Sequence, residues 1–203
     1  MEELKRNNTS ESADIDYPSA DSITLNVKLK LKTYRLFFNL KQLDISHIVH
    51  KSISTVTAWE RNDYDSEKGP IIKPNYRDLV ILRDLYNIPL DQIFSWKNRI
   101  DDKEPSLNQY MFEHPESTAS YLSNEEIATN VKIRLKTYRI NANISQHQLS
   151  TEVHKSISTI TSWERLESEK SKGPVIKPDY RDLIYLCNRY GITLEELFRN
   201  FIG

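Results

Sequence analysis

The chain has 203 residues, 38% of them apolar and 28% charged, with a formal net charge of −1. That length holds one large domain or two small ones, and no run approaches the ~20 apolar residues that span a bilayer. The start, Met1-Glu2-Glu3-Leu4-Lys5, has no apolar signal core, and the single Cys187 has no partner for an internal disulfide, so the expectation is a cytoplasmic protein with no membrane partner.

Residues 1–18 are polar and are expected to form a disordered tail. From there the chain repeats itself. LNVKLKLKTYR (25–35) recurs as NVKIRLKTYR (130–139), VHKSISTVTAWER (49–61) as VHKSISTITSWER (153–165), and KGPIIKPNYRDL (68–79) as KGPVIKPDYRDL (172–183). Every pair is offset by 104 residues without a gap, which identifies a tandem duplication. The expected boundaries are a first domain over 19–95, an acidic linker over 96–122 and a second domain over 123–203.

Each copy reads as helical in chain order. Ile23, Val27, Leu31, Tyr34 and Phe38 form one face of a first helix, matched by Ile127, Val131, Leu135, Tyr138 and Ala142. Ser123 with Glu126 reads as a capping box, and Asn39 and Asn143 suit a left-handed stop. A second helix starts near Gln42 or Gln146. Ser52 and Ser156 read as N-caps of a third helix ending near Arg61 or Arg165. Pro74 and Pro178 suit the first turn of a fourth, which stops at Asn87 or Gly191. A short fifth helix runs from Leu90 to Phe94 and from Leu194 to Phe198. No strand pattern occurs, so the fold class is all-α.

Charge is unevenly spread. Residues 26–95 hold 11 Lys/Arg against 8 Asp/Glu and residues 130–199 hold 12 against 8, while the flanks and linker are acidic. Two weakly basic blocks fit either a polyanion partner or ordinary solvated surface.

ISQHQLSTEVHKSISTITSWER (144–165) resembles the Cro/Xre family of lambda-repressor-like helix-turn-helix domains, as does LKQLDISHIVHKSISTVTAWER (40–61), which is weaker at its start. IKPDYRDLIYLCNRYGITLEELF (176–198) is similar to the family's last two helices. The resemblance covers nearly everything outside the tail and linker, and implies two tandem five-helix domains that bind double-stranded DNA. Two features depart from the family pattern. His50 and His154 stand where Gly is usual in the turn, a position His tolerates because it is enriched at positive φ. The loops 62–73 and 166–177 after the third helix are unusually long.

By the family's register, Ile53, Ser54, Thr57 and Ala58 face the bases in the first copy, and Ile157, Ser158, Thr161 and Ser162 in the second. With no Arg, Gln or Asn there, readout leans on the thymine methyl and on single hydroxyl hydrogen bonds. The competing assignments are core packing for Ile53 and Ile157 and self-bonding to the helix backbone for the threonines. Phosphate contacts are implied for Gln42, Lys51, Ser52, Thr55 and Lys68, and for Gln146, Lys155, Ser156, Thr159 and Lys172; each lysine alone also fits a solvated charge. The family pattern further implies ion pairs Arg35–Glu60 and Arg139–Glu164. Trp59, Trp163, Tyr34 and Tyr138 are assigned to packing.

Functionally, these readings point to a sequence-specific transcriptional regulator reading two similar half-sites. The alternative is an antitoxin-like or adaptor protein, or a homo-oligomer, that engages a protein partner through its helix-turn-helix domains or its linker, where Leu107, Tyr110 and Met111 share a helical face that could dock outward or pack on the domains. An enzyme is not expected: the five histidines show no metal spacing, four glycines supply no phosphate loop, no nucleophile motif occurs, and Cys187 reads as a buried thiol. No cofactor or metal is expected.

Overall fold

A computed structural model describes residues 18–61, 72–95, 102–166 and 176–199. Among these the fold is all-α. The helices are α1 (Ala20–Phe37), α2 (Gln42–Val49), α3 (Ile53–Glu60), α4 (Tyr76–Tyr86), α5 (Leu90–Phe94), α6 (Gln109–Glu113), α7 (Asn124–Asn141), α8 (Gln146–Glu152), α9 (Ile157–Glu164), α10 (Tyr180–Tyr190) and α11 (Leu194–Leu197), with a 3-10 helix at Pro115–Ser120. None of them is long and apolar enough to cross a membrane. The tail, 1–17, and most of both long loops, with Lys68 and Lys172, lie outside the described residues.

Helices α7–α11 begin 104 residues after α1–α5, and the local chemistry that starts and stops them recurs too. Ser19 and Ser123 accept hydrogen bonds from the backbone N–H of Ser22 and Glu126, satisfying donors that have no partner inside the helix. Asn39, His50 and Asn87, and Asn143, His154 and Gly191, all adopt positive φ between 50° and 66°, turning the chain sharply between helices. Pro74 and Pro178 do not open the fourth helix of each copy. The N-caps are Asn75 and Asp179, one residue later, each closing a capping box with the carboxylate of Asp78 or Asp182. An Asx oxygen supplies what the orphan N–H groups need, and proline, lacking an N–H, sits outside the helix.

The two halves share one apolar core. The Tyr76 hydroxyl donates to Pro178 O at 2.8 Å, and the Tyr180 hydroxyl donates to Pro74 O at 2.5 Å. The Tyr76 ring stands edge-on to Phe198 at 5.2 Å, and Phe94 edge-on to Tyr180 at 4.8 Å. Asp91 accepts from the N–H groups of Leu194 and Glu195, while Glu195 accepts from Leu90 N–H and Arg83. The tyrosine hydroxyl bonds, the ring contacts and the Leu90 and Leu194 N–H bonds are each answered at 104 residues' offset, the signature of an isologous, two-fold arrangement, realised here inside one chain. Arg83 breaks it: its counterpart is Cys187, a buried free thiol whose ionisation burial opposes.

The connecting segment is part of the fold rather than a free tether. Ser106 N–H and Asn108 N–H donate to the carbonyls of Tyr86 and Leu85, which end α4 without helical partners. Thr118 is fully buried; its hydroxyl reaches Ile48 O at 2.7 Å and the His50 ring at 2.8 Å. Tyr121 donates to Asp84 at 2.6 Å. Met111 is buried and Leu107 packs against the core, while Tyr110 stays exposed. The segment therefore docks on the first copy. The second copy has Glu152 and Arg189 where the first has Ile48 and Leu85, and these two pair with each other at 2.7 Å on the open surface. A charged pair in place of two buried aliphatics explains why docking is one-sided.

Candidate nucleic-acid interface

α2 and α3, and likewise α8 and α9, meet through the left-handed His50 or His154 and the extended Ser52 or Ser156. The Ser52 hydroxyl accepts from Thr55 N–H at 3.2 Å and the Ser156 hydroxyl from Thr159 N–H at 3.1 Å; Thr55 and Thr159 add hydroxyl contacts at 2.9 Å. Val56 and Trp59, with Ile160 and Trp163, turn inward and are buried. The opposite face carries Ile53 and Ile157, which are 47% and 46% exposed. That exposure removes the core-packing assignment for both isoleucines. Ser54, Ser158 and Thr57 are also exposed and Thr161 is partly so.

Ser162 does not share this face. It is 4% exposed, and its hydroxyl accepts from Ile176 N–H at 2.8 Å, because the chain after the long loop returns across the last turn of α9. Ala58, its counterpart, is half-buried. The outward residues Lys-Ser-Ile-Ser-Thr followed by Thr are thus identical in both copies, and the differences fall on the buried Val56/Ile160 and on Ala58/Ser162, half-buried in the first copy and buried in the second.

A hydrogen-bonded chain holds each helix in place. Arg35 donates to both carboxylate oxygens of Glu60 at 2.5 and 2.6 Å and to Leu40 O at 2.7 Å. Arg139 does the same with Glu164 at 2.5 and 2.9 Å and with Ile144 O at 2.6 Å. The hydrogen bond to glutamate is the main cause raising both arginines' pKa values. Gln42 and Gln146 donate to the same glutamates at 2.9 and 2.8 Å. Since a carboxylate only accepts, the amide nitrogen faces it and the amide oxygen faces Thr57 or Thr161, whose hydroxyls donate at 2.8 and 3.2 Å. The glutamines are therefore chiefly internal braces, each keeping one N–H for an outside acceptor. Thr161 also lies 2.9 Å from Ile157 O, so its proton points inward by either route.

Lys51 and Lys155 lie beside the starts of α3 and α9, with their ammonium groups 4.0 and 3.6 Å from Asp78 and Asp182. Both carboxylates are buried capping-box residues, and Asp78 Oδ1 has no hydrogen bond. Burial pushes Asp78 up and pushes the Asp182 carboxyl up to about 6, with Asp179 adding to the rise and Lys155 opposing it. From its ordinary value of 3.8, Asp182 then keeps in the folded chain, between about pH 4 and 6, a proton that the unfolded chain has released. Its contribution to stability is fullest below that window, is lost as pH rises through it, and is level above. Asp182→Asn should flatten this part of the stability–pH curve; chemical denaturation at half-unit pH steps measures it, and an unchanged curve sinks the assignment.

Two buried lysines carry no mark of their place in the sequence. Lys28 and Lys132 are buried, and Lys132 donates to Arg165 O at the C-terminal end of α9, where a cation complements the helix dipole. Their signal is a lysine beside the apolar stripe, indistinguishable in sequence from a solvated one. Among the described residues no group of His, Cys, Asp or Glu is arranged to hold a metal. Comparison with family models, with curated proteins and with solved structures returns no match.

Proposed function

We propose that the chain is a sequence-specific double-stranded DNA-binding regulator made of two tandem five-helix, lambda-repressor-like helix-turn-helix domains, with α3 and α9 as its reading helices. The observation that carries this reading is the identity of the outward face of α3 and α9. The copies differ at many other positions, including the surface where the connecting segment docks, yet agree at every exposed position of these helices. Two identical reading faces related by a two-fold axis ask for two identical half-sites in inverted orientation.

The side chains define what each half-site offers. Ile53 and Ile157 provide apolar contact for a thymine methyl. Thr57 and Thr161, their protons committed inward, present lone pairs only, which match the exocyclic amino group of adenine or cytosine. Lys51 and Lys155, with Ser52 and Ser156 at the helix starts, suit phosphates.

Selection of bound sequences from a pool of random duplexes should enrich an inverted repeat. Lys155→Ala should weaken all duplexes alike and reduce the salt slope by roughly one unit. Ile157→Ala should instead relax discrimination at one position of one half-site, on a scale of about 1–3 kcal/mol. A pool that shows no enrichment refutes the reading and favours a protein-binding role for the same faces.

A further inference from the structure

Where the two halves meet, a cleft straddles the two-fold axis. It encloses about 270 Å³ and is lined by Lys73, Asn75 and Tyr76 from one half and by Lys177, Asp179 and Tyr180 from the other. The lysines cross over. Lys73 Nζ sits above the Tyr180 ring, 4.5 Å from its centroid, and Lys177 Nζ lies 6.0 Å from the Tyr76 centroid. Both rings are buried, with their hydroxyls tied to Pro74 O and Pro178 O, so Lys73 rests on a fixed aromatic surface and Lys177 lies at the margin of one.

Two further features give this arrangement a direction. The chain lining the cleft runs alongside the reading helix: Ile176 N–H bonds to Ser162 in the last turn of α9, and three residues on, Asp179 caps α10, whose Asp182 lies 3.6 Å from Lys155 at the start of α9. In each half the segment lining the cleft thus leads into a capping box whose carboxylate, Asp78 or Asp182, lies beside the lysine that precedes the reading helix. In addition, neither lysine forms an ion pair among the described residues, and the carboxylate lining the cleft, Asp179, is engaged with Asp182 N–H as a helix cap. Stacking on tyrosine holds the ammonium groups without neutralising them, whereas Lys51 and Lys155 lean on carboxylates.

We propose that Lys73 and Lys177 form a third contact site, on the backbone phosphates at the centre of the bound duplex, between the two half-sites. This rests on the DNA-binding reading above. A duplex held by both reading helices passes across the mouth of the cleft, and two unneutralised cations there meet the strands where no reading helix touches them. Such a site adds affinity and fixes the spacing of the half-sites without reading bases.

The test uses the full chain and the duplex that the intact chain enriches from a random pool. Lys73→Gln combined with Lys177→Gln should make the dependence of log affinity on log salt shallower by about two units, at ~0.9 per phosphate contact. Hydroxyl-radical protection should vanish at the centre and persist over both half-sites. Arginine at both positions keeps the charge and the stacking, and should keep slope and central protection. A variant that is partly unfolded loses affinity by the same factor at every salt concentration, which leaves the slope intact and separates a structural role from a phosphate contact. Enrichment of a duplex by the intact chain, with slope and central protection unchanged in the glutamine variant, overturns this site alone. An intact chain that enriches nothing overturns the DNA-binding reading and this site with it.

Discussion

Glu164→Ala is expected to cost the fold about 3–5 kcal/mol, the range for removing one partner of a shielded ion pair. The size follows from what is left behind. Arg139 and Glu164 are 9% and 8% exposed, and the glutamate accepts from Arg139 twice and from Gln146 once. Alanine strands the guanidinium with Ile144 O as its remaining partner and frees Gln146, leaving Thr161 on the outward face of α9 with Ile157 O alone. An exposed pair would give up well under 1 kcal/mol. For a chain of this length, each 1 kcal/mol moves the melting temperature by roughly 2–4 °C, so a drop on the order of 10 °C is expected. Because the halves share a core, the whole described fold should melt in one transition. Scanning calorimetry decides: a shift below 2 °C, or two separated transitions, contradicts the bridge's weight or the shared core.

Inserting about 5 bp, half a helical turn, between the half-sites should reduce affinity by roughly 10²–10⁴, to the level of a single half-site. Tyr76, Phe94, Tyr180 and Phe198 interlock across the two-fold axis, and burying each such ring contributes about 1.5–3 kcal/mol. Asp91 and Glu195, each accepting from a backbone N–H of the other half, leave the halves little freedom to rotate. The inserted half-turn carries one half-site to the far face of the duplex, beyond reach of a fixed reading helix. An insertion of about 10 bp, which restores the face but lengthens the span, should be nearly as damaging. Flexibly tethered domains would tolerate the second insertion. Equilibrium titration of the three duplexes measures this, and losses under threefold for both insertions would show that the halves move independently.

Much of the architecture was legible because local chemistry determines it. Helix faces follow from apolar spacing, and the stops follow from residues that accept positive φ, which is how His50 and His154 hold turns where glycine is common. The fourth helix was misplaced by one element of that same chemistry. Proline suits a first helical turn, whereas Asn75 and Asp179 cap through their side chains and leave proline outside. Ser162 shows the opposite limit. Register along α9 puts it beside Thr161 among the expected outward residues, and a segment fourteen residues later covers it.

By itself, the sequence determined the duplication, the helices of each copy and the identity of the outward residues of α3 and α9, because periodicity, caps and internal identity are properties of neighbours along the chain. Only the tertiary structure decided how the copies face one another. The two-fold interface is made by side chains some 100 residues apart, whose meeting no local pattern records, and by a connecting segment that docks on the first copy because Ile48 and Leu85 have become Glu152 and Arg189 in the second. The crossing of Lys73 and Lys177 onto each other's tyrosines follows from the same cause: it exists only once the axis does.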